Sequence, residues 1–168
     1  RSSWSPRQLE QIERELSSIC ELTGATEFSF SDPNIGFDRT RVDGKNVKID
    51  RMERMQALGN IFRKLNIKWD GNVRADYIDQ EYADLMQWSG CTSIEFGLES
   101  GDEFFLRKYV KKGHDVQSGI TANECMAKTD ISVMNSFVRK MPHETHEQWL
   151  HTMEHIDHIM SIAPNARA

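Results

Sequence analysis

Predicted helices and strands alternate along this sequence of 168 residues, and the alternation limits the folds that it can adopt. Period-two patterning of apolar and polar residues indicates strands at 26–31, 67–73, 91–99 and 131–138. Helical spacing of apolar residues predicts helices before, between and after these strands. Strands that alternate with helices predict a parallel sheet with right-handed crossovers. We therefore expect residues 1–168 to form one α/β domain of about four parallel strands with flanking helices.

Helix start signals support these boundaries. Residues that can cap a helix N-terminus precede three of the predicted helices. They are Ser5 (followed by Pro6), Asp50 and Asp79, and the last predicted helix begins at Thr145. Gly113 breaks the helical region after the third predicted strand, and residues 35–49 are predicted to form a polar loop.

The predicted strand at 91–99 has an apolar face and an acidic face. Ile94 and Phe96 alternate with the carboxylates of Glu95 and Glu99. Polar faces recur on other predicted strands, whereas the central strands of a doubly wound sheet are apolar on both faces. The polar positions are Ser29 and Ser31 on the first strand, Lys68, Asp70, Asn72 and Arg74 on the second, and Glu95, Gly97 and Glu99 on the third, while Asn135 and Ser136 fall on opposite faces of the fourth.

The shared polar face favours a partial (β/α) barrel over a closed one. A closed eight-stranded barrel fills its interior with branched aliphatic side chains, so a polar interior indicates a wider or incomplete barrel that encloses a polar ligand. Ligands of parallel α/β folds bind at the carboxyl ends of the strands. The residues at those ends are Asp32, Asn34, Asn72, Arg74, Asp76, Glu99, Ser100, Asn135, Arg139 and Lys140. Such a ring suits a ligand with both charges, with Glu99 facing an ammonium or ribose hydroxyls and Arg74 facing a carboxylate.

The composition argues against several other classes of function. A net charge of −5 does not predict a dedicated nucleic-acid surface. No apolar run approaches the roughly 20 residues that span a bilayer, so no membrane contact is expected. Cys20, Cys91 and Cys125 lie far apart, which fits neither a disulfide framework nor a metal knuckle and favours a reducing, cytoplasmic setting.

The last predicted helix carries several histidines. His151, His155 and His158 share one of its faces. The opposite face has an apolar stripe of Trp149, Met153, Ile156 and Met160. We therefore expect the stripe to face the core and the histidines to face solvent.

Five stretches of the sequence, in this order, resemble a known superfamily. They are FSFSDPN from Phe28, WDGNVRAD from Trp69, GCTSIEFGLESG from Gly90, Lys112-Gly113, and FVRKMPHET from Phe137. Together they resemble the radical S-adenosylmethionine (radical SAM) superfamily, and particularly the branch whose members often carry an upstream cobalamin-binding domain. The fold of that family is a partial barrel of six βα units with a polar interior, of which this chain would supply the second to fifth strands.

The resemblance implies an enzyme with several cofactors. In the family, a [4Fe-4S] cluster receives an electron from a donor such as flavodoxin or ferredoxin and passes it to bound S-adenosylmethionine. Cleavage of S-adenosylmethionine yields a deoxyadenosyl radical, which abstracts hydrogen from a small-molecule or peptide substrate. In cobalamin-dependent members, methyl transfer follows.

The resemblance also implies roles for individual positions. Glu99 and Ser100 look like ligands of the methionyl or ribose part of S-adenosylmethionine. Asn72 and Arg74 look like polar wall residues near the cofactor or substrate. The turn that begins at Met141 looks like the backbone approach to adenine. Asp32 and Asn135, from the same ring of strand ends, complete the candidate cofactor contacts, and no residue of the chain is predicted to bind the metal.

The chain departs from the family pattern in two ways. The cluster motif C-x-x-x-C-x-x-C is absent, and the three cysteines cannot replace it at their spacing. We therefore expect the chain to be an internal portion of the barrel, without the first strand and the last, that does not assemble the cluster alone. The family turn G-L-P-G-E-T here reads KMPHET, with Lys140 and His143 in place of glycines that permit a close backbone approach.

Two other interpretations stay open. A degenerate barrel that has lost its cluster would serve as a binding or scaffold domain. An unrelated barrel hydrolase or lyase would use Glu95 and Glu99 as its acid and base.

Overall fold

The chain folds into a parallel sheet with helices packed against one face. A computed structural model describes residues 7–32, 34–36, 39–42, 45–48 and 50–168. The strands are β1 (Glu27–Phe30), β2 (Arg39–Val42), β3 (Lys45–Lys48), β4 (Lys68–Asn72), β5 (Cys91–Glu99), β6 (Ser132–Phe137) and β7 (Ala166–Arg167). The helices are α1 (Leu9–Thr23), α2 (Arg51–Lys64), α3 (Gln80–Trp88), α4 (Glu103–Phe105), α5 (Val116–Met126) and α6 (His146–Ile162), with a 3₁₀ turn at Ala75–Tyr77 and a π-helical turn at Leu106–Val110.

The main sheet has the strand order β1-β4-β5-β6-β7, and each neighbouring pair is parallel. This arrangement confirms the predicted α/β fold with a partial-barrel sheet. The sheet has five strands rather than about four, because β7 pairs with β6 over two residues. Two residues are too few to show alternation, so the sequence did not reveal this strand. The strands β1 and β7 form the two edges of the sheet.

A small antiparallel hairpin lies between β1 and α2. It consists of β2 and β3, paired from Arg39 with Lys48 to Val42 with Lys45. The prediction of a loop over residues 35–49 was therefore wrong for the two strands. Both strands are rich in charged residues, and apolar patterning could not identify them.

Side-chain caps fix where the helices begin. Asp50 accepts hydrogen bonds from Met52 N at 2.8 Å and Glu53 N at 3.2 Å, as predicted for the start of α2. Asp79 caps α3 in the same way. Thr145 forms a capping box at the start of α6. The predicted cap at Ser5-Pro6 lies outside the described residues, and α1 starts at Leu9.

The core lies between the helices and the apolar face of the sheet. Its largest fully buried side chains include Phe62, Trp69, Met86, Ile94 and Phe96. Burial of one such side chain contributes about 1.5 to 3 kcal/mol, so this face holds the sheet and helices together. The opposite face of the sheet is left for polar side chains.

The helix α6 packs with a different face from the one predicted. Thr152, His155 and Ile159 are buried, whereas Met153 and Met160 of the apolar stripe are exposed. The prediction of a solvent-facing histidine was therefore wrong for His155. Hydrophobic periodicity could not identify this face, because the polar side chains on it find partners only in the folded chain.

Asn135 also lies on the side opposite to the one needed for a ligand. It aligns with Phe96 in the β5–β6 register, and the residue is only 2% exposed. Its amide exchanges two hydrogen bonds of 3.0 Å with the buried amide of Asn123 on α5. Asn135 therefore joins the sheet to a helix and does not reach the polar face.

No helix within the described ranges is long and apolar enough to cross a membrane.

Candidate functional site

The polar face of the sheet forms an open cleft of about 510 Å³ at the carboxyl ends of the strands. Strands β4, β5 and β6, together with the segment that follows the π-helical turn, supply its walls. The polar and small residues that line it are Ser31, Asn72, Arg74, Glu95, Gly97, Glu99, Lys112, His114 and Ser136. The predicted polar interior of the barrel is thus present.

An ion pair between Glu99 and Lys112 lies in this cleft. The Glu99 side chain is 15% exposed, and that of Lys112 is 50% exposed. Gly97 leaves space for the pair, since an added Cβ would lie 2.9 Å from Glu99 Oε1 and 3.3 Å from Lys112 Nζ. The cleft therefore presents a partly shielded carboxylate beside a solvent-facing ammonium.

Arg74 supplies a second cation. Its guanidinium donates to both oxygens of Asp76, at 2.9 and 2.7 Å, and lies 5.1 Å from the centre of the Tyr77 ring. The hydrogen bond to Asp76 is the main cause that raises the pKa of Arg74. The Arg74 amide donates to Asn34 Oδ1 at 3.2 Å, which ties the end of β4 to the loop after β1. Arg74 is therefore a fixed, permanently charged group.

Pairs of a hydroxyl and a carboxylate extend the polar face of the sheet, one in the cleft and one on the neighbouring strands. Ser136 donates a hydrogen bond to Glu95 across β5 and β6. Ser29 donates to Asp70 Oδ1 at 2.7 Å across β1 and β4. These pairs place hydrogen-bonding groups where a closed barrel would have aliphatic ones.

Glu99 has a strained backbone. Its φ is 68°, in the left-handed region that non-glycine residues rarely adopt. Ser100 N donates to Leu98 O at 2.8 Å, so Glu99 is the central residue of a γ-turn with positive φ. Backbone strain of this kind costs about 1 to 3 kcal/mol and persists where the surrounding structure enforces it.

Ser100 directly follows the cleft residue Glu99, but its side chain faces α6. The residue is 1% exposed, and its hydroxyl lies 3.1 Å from the Thr152 hydroxyl. Ser100 Oγ also accepts a hydrogen bond from Asp102 N at 3.2 Å. The structure therefore gives the Ser100 side chain partners within the chain, away from the polar face.

The turn that contains Met141 forms a separate recess of about 270 Å³. Lys140 and His143 have φ values of 62° and 72°, so the backbone is left-handed at both positions where the family pattern has glycine. The His143 ring stacks on Tyr109 with centroids 5.0 Å apart. Glu144 Oε2 accepts from Lys140 N at 2.7 Å. The turn has the backbone form that glycine favours, but it also carries side chains.

The structure brings Asn72, Arg74 and Glu99 together and separates the other candidates from them. Asp32 lines a different pocket of about 390 Å³, between α1, β1 and α2. Asn135 lies on the helix-covered face of the sheet. Ser100 lies under α6, and Met141 lies in the separate recess. The binding roles given to all seven residues stay predictions.

Sequence reasoning did not single out three residues of the cleft. The sequence marked Lys112 only as part of a stretch that resembles the family. Nothing in the sequence marked His114, whose Nε2 lies 3.2 Å from Leu98 O. Ser136 aligns with Gly97, which places it on the polar face. The register between β5 and β6 reveals that face, whereas alternation in β6 alone did not.

The cysteines of the chain do not fit an iron–sulfur cluster. Cys20, Cys91 and Cys125 lie on α1, β5 and α5. Burial raises the pKa of the Cys91 thiol strongly and that of Cys125 as well, so both thiols are protonated at neutral pH. In the part of the chain that the structure describes, no three His, Cys, Asp or Glu side chains are grouped to hold a metal ion.

Comparison with known proteins gives one consistent result. No protein-family profile matches the chain. An uncharacterized methyltransferase from Pyrococcus horikoshii is 27% identical over 145 residues, which is 86% of this chain and 29% of that protein. The chain therefore spans less than a third of the length of this relative.

Solved structures resemble the chain more extensively. The radical SAM methyltransferase TsrM from Kitasatospora setae matches 92% of this chain and 27% of its own, with a TM-score of 0.72 and 14% identity. The cobalamin-dependent radical SAM enzyme OxsB matches 92% of this chain and 23% of its own, with a TM-score of 0.72 and 19% identity. The chain thus has the fold of part of a radical SAM barrel, which confirms the resemblance seen in its sequence.

Proposed function

We propose that this chain forms part of the catalytic barrel of a radical SAM enzyme and that its polar cleft binds S-adenosylmethionine. The observation that carries the proposal is the Glu99 carboxylate, held at the carboxyl end of β5 beside Lys112. Carboxyl ends of parallel strands are where α/β folds bind ligands. The cofactor would then contact a charged group at the usual place for this architecture.

The charges of the cleft suit the groups of S-adenosylmethionine. Its methionyl part carries an ammonium and a carboxylate, and its ribose carries hydroxyls. The Glu99 carboxylate would accept hydrogen bonds from the ammonium or the ribose, and Arg74 would attract the carboxylate. Asn72 lines the same cleft and offers both a donor and an acceptor.

The cluster and the electron supply belong to the proposal for the whole enzyme. A [4Fe-4S] cluster would supply the electron that cleaves S-adenosylmethionine. Its ligands would lie outside this chain, because within the described residues no three metal-binding side chains are grouped. A flavodoxin or ferredoxin would act as the electron donor. We place the enzyme in the cytoplasm, without a nucleic-acid or membrane partner.

Methyl transfer is the reaction that the relatives favour. The curated relative is described as a methyltransferase, and TsrM is a methyltransferase with bound cobalamin and a [4Fe-4S] cluster. We therefore propose transfer of a methyl group to a small-molecule or peptide substrate, with cobalamin as a further cofactor of the whole enzyme.

The experiment compares Glu99→Gln with Glu124→Gln, an exposed position on α5 far from the cleft. The complete protein that contains this chain is reconstituted anaerobically, and binding of S-adenosylmethionine is measured by equilibrium dialysis. Loss of one charge-assisted hydrogen bond weakens binding by about tenfold or more, so Glu99→Gln should show this loss and Glu124→Gln should not. Equal affinity in the two variants would contradict the proposal.

The same binding measurement distinguishes the proposed enzyme from a degenerate barrel that serves as a scaffold. The side chains of Lys140 and His143 at two glycine positions of the family pattern favour it. A degenerate barrel would fail to bind S-adenosylmethionine even in the unchanged protein. The hydrolase interpretation has less support, because Glu95 and Glu99 each bond to a separate partner, Ser136 and Lys112.

A further inference from the structure

A buried threonine on α6 is hydrogen-bonded to the turn at the end of β5. Thr152 is fully buried, and its hydroxyl accepts a hydrogen bond from Gly101 N at 2.9 Å. The same hydroxyl lies 3.1 Å from Ser100 Oγ, which in turn accepts from Asp102 N at 3.2 Å. One side chain of α6 is therefore bonded, directly or through Ser100, to the backbone of the turn that follows β5.

This turn packs directly on the backbone of the helix. A Cβ added to Gly101 would lie 2.8 Å from Thr152 Cα and 2.5 Å from His155 Cβ. Such distances leave no room for a side chain, so only glycine allows the turn to approach α6 so closely. The hydroxyl of Thr152 can reach the Gly101 amide because of this approach.

Glu99 needs external support, because its γ-turn is strained and Ser100 N supplies the hydrogen bond that closes it. If Ser100 and Gly101 were free to move, the turn could relax and carry the Glu99 carboxylate out of the cleft. Val138 N donates to Glu99 O at 3.0 Å on the β6 side, and the contacts of Ser100 and Gly101 with Thr152 hold the other side of the turn.

We propose that Thr152 is a positioning residue for Glu99. It has no place in the cleft itself and acts by holding Ser100 and Gly101, so that the strained turn keeps the Glu99 carboxylate beside Lys112. The inference rests on the proposed function, in which Glu99 binds S-adenosylmethionine. The inference adds Thr152, a residue of α6 behind the end of β5, to the residues that affect binding. No motif in the sequence indicates this residue.

The test is a double-mutant cycle on the complete, anaerobically reconstituted protein. Thr152→Val keeps the shape of the side chain and removes its hydroxyl, whereas Thr152→Ser keeps the hydroxyl. Each is combined with Glu99→Gln, and the dissociation constant for S-adenosylmethionine is measured by equilibrium dialysis. Thermal unfolding and amide hydrogen exchange at Gly101 are recorded for every variant.

Thr152→Val should weaken binding about five- to tenfold when Glu99 is present and by less than about twofold in the Glu99→Gln background. Thr152→Ser should bind within about twofold of the unchanged protein. Faster exchange of the Gly101 amide should accompany the valine variant in both backgrounds. A merely structural role of Thr152 would lower stability without this dependence on Glu99.

Two results would overturn the inference in different ways. Equal weakening by Thr152→Val in both backgrounds, or none in either, would refute positioning through Glu99 while the effect of Glu99→Gln upholds the proposed function. Unchanged binding in Glu99→Gln alone would refute the proposed function and the inference with it. If the valine variant does not fold, Thr152→Ala takes its place in the same cycle and is judged by the same criteria.

Discussion

His155 is a buried histidine that the fold keeps neutral. It lies on the buried face of α6, with its ring edge-on to Phe137 at 5.9 Å between centroids. Burial lowers its pKa from the ordinary 6.5 to about 4, and the nearby His158 contributes in the same direction. Between these two pH values, the unfolded chain binds a proton that the folded chain does not.

Stability should therefore fall as the pH is lowered from 6.5 to 4, because proton uptake by the unfolded chain favours unfolding. The part due to His155 is at most about 3 kcal/mol, the free energy that corresponds to this pKa difference, and it should disappear in His155→Phe. Urea unfolding at several pH values measures it as the difference in slope between the two proteins.

His158→Phe, at an exposed position of the same helix, serves as the control. It should keep most of the slope, since His158 is a minor cause of the shift. The same slope in His155→Phe and the unchanged protein would contradict the prediction. His151 works in the opposite sense: its hydrogen bond to Asp102 raises its pKa, so its contribution is present at low pH and is lost as the pH rises through that higher value.

At the scale of single residues, the sequence predicted which face of a strand a residue occupies where apolar and polar residues alternate clearly. The outward faces of Asn72, Arg74 and Glu99 followed from strand periodicity, and the structure places all three in one cleft. Asn135 was misplaced because its partner, Asn123, is on another element and is invisible to local patterning. A buried amide that is fully hydrogen-bonded can replace an apolar residue in a core.

At the scale of elements, the turn between β6 and α6 carries backbone strain at two positions. Lys140 and His143 both have left-handed φ values. The two side chains differ in their contacts, since the His143 ring stacks on Tyr109, whereas Lys140 is exposed. Lys140 is therefore the position where the strain can be removed with the least loss of packing.

Lys140→Gly should raise the free energy of unfolding by about 0.5 to 1 kcal/mol, because glycine adopts a left-handed φ without the steric cost of a Cβ. The amide that donates to Glu144 is unchanged. Lys128→Gly, at a turn position without positive φ, should instead lower stability through the added freedom of the unfolded chain. Urea unfolding compares them, and a loss of stability in Lys140→Gly would show that the strain is absent.

The elements that the sequence predicted well have local signals, and the others do not. Asp50 and Asp79 cap helices as predicted, and β5 spans Cys91–Glu99 as predicted. The buried face of α6 depends on its contact with the turn after β5, so periodicity within the helix could not identify it. The short strand β7 exists only through its pairing with β6.

At the scale of the whole molecule, the alternation of helices and strands was sufficient to predict a parallel sheet. The polar face then distinguished a partial barrel from a doubly wound fold. In the proposed enzyme the cluster would take its ligands from outside this chain. Cys20, Cys91 and Cys125 lie far apart in the sequence, and within the described residues no three His, Cys, Asp or Glu side chains are grouped to hold a metal ion.

Anaerobic reconstitution of this chain with iron and sulfide should therefore give no stoichiometric [4Fe-4S] absorbance. A variant in which Cys20, Cys91 and Cys125 are all replaced by alanine sets the background for nonspecific iron. The unchanged chain should match that background in its iron content and visible spectrum. Stable incorporation of four irons by the unchanged chain alone, and not by the variant, would refute this expectation.

The edge position of β1 affects how the chain behaves in concentrated solution. Among the described strands, β1 pairs only with β4, so no described strand lies along its other side. Phe28 and Phe30 of this strand are only partly buried. An open edge beside partly exposed rings is a template for another strand, so self-association should increase with protein concentration. A strand or segment laid along β1 would suppress it.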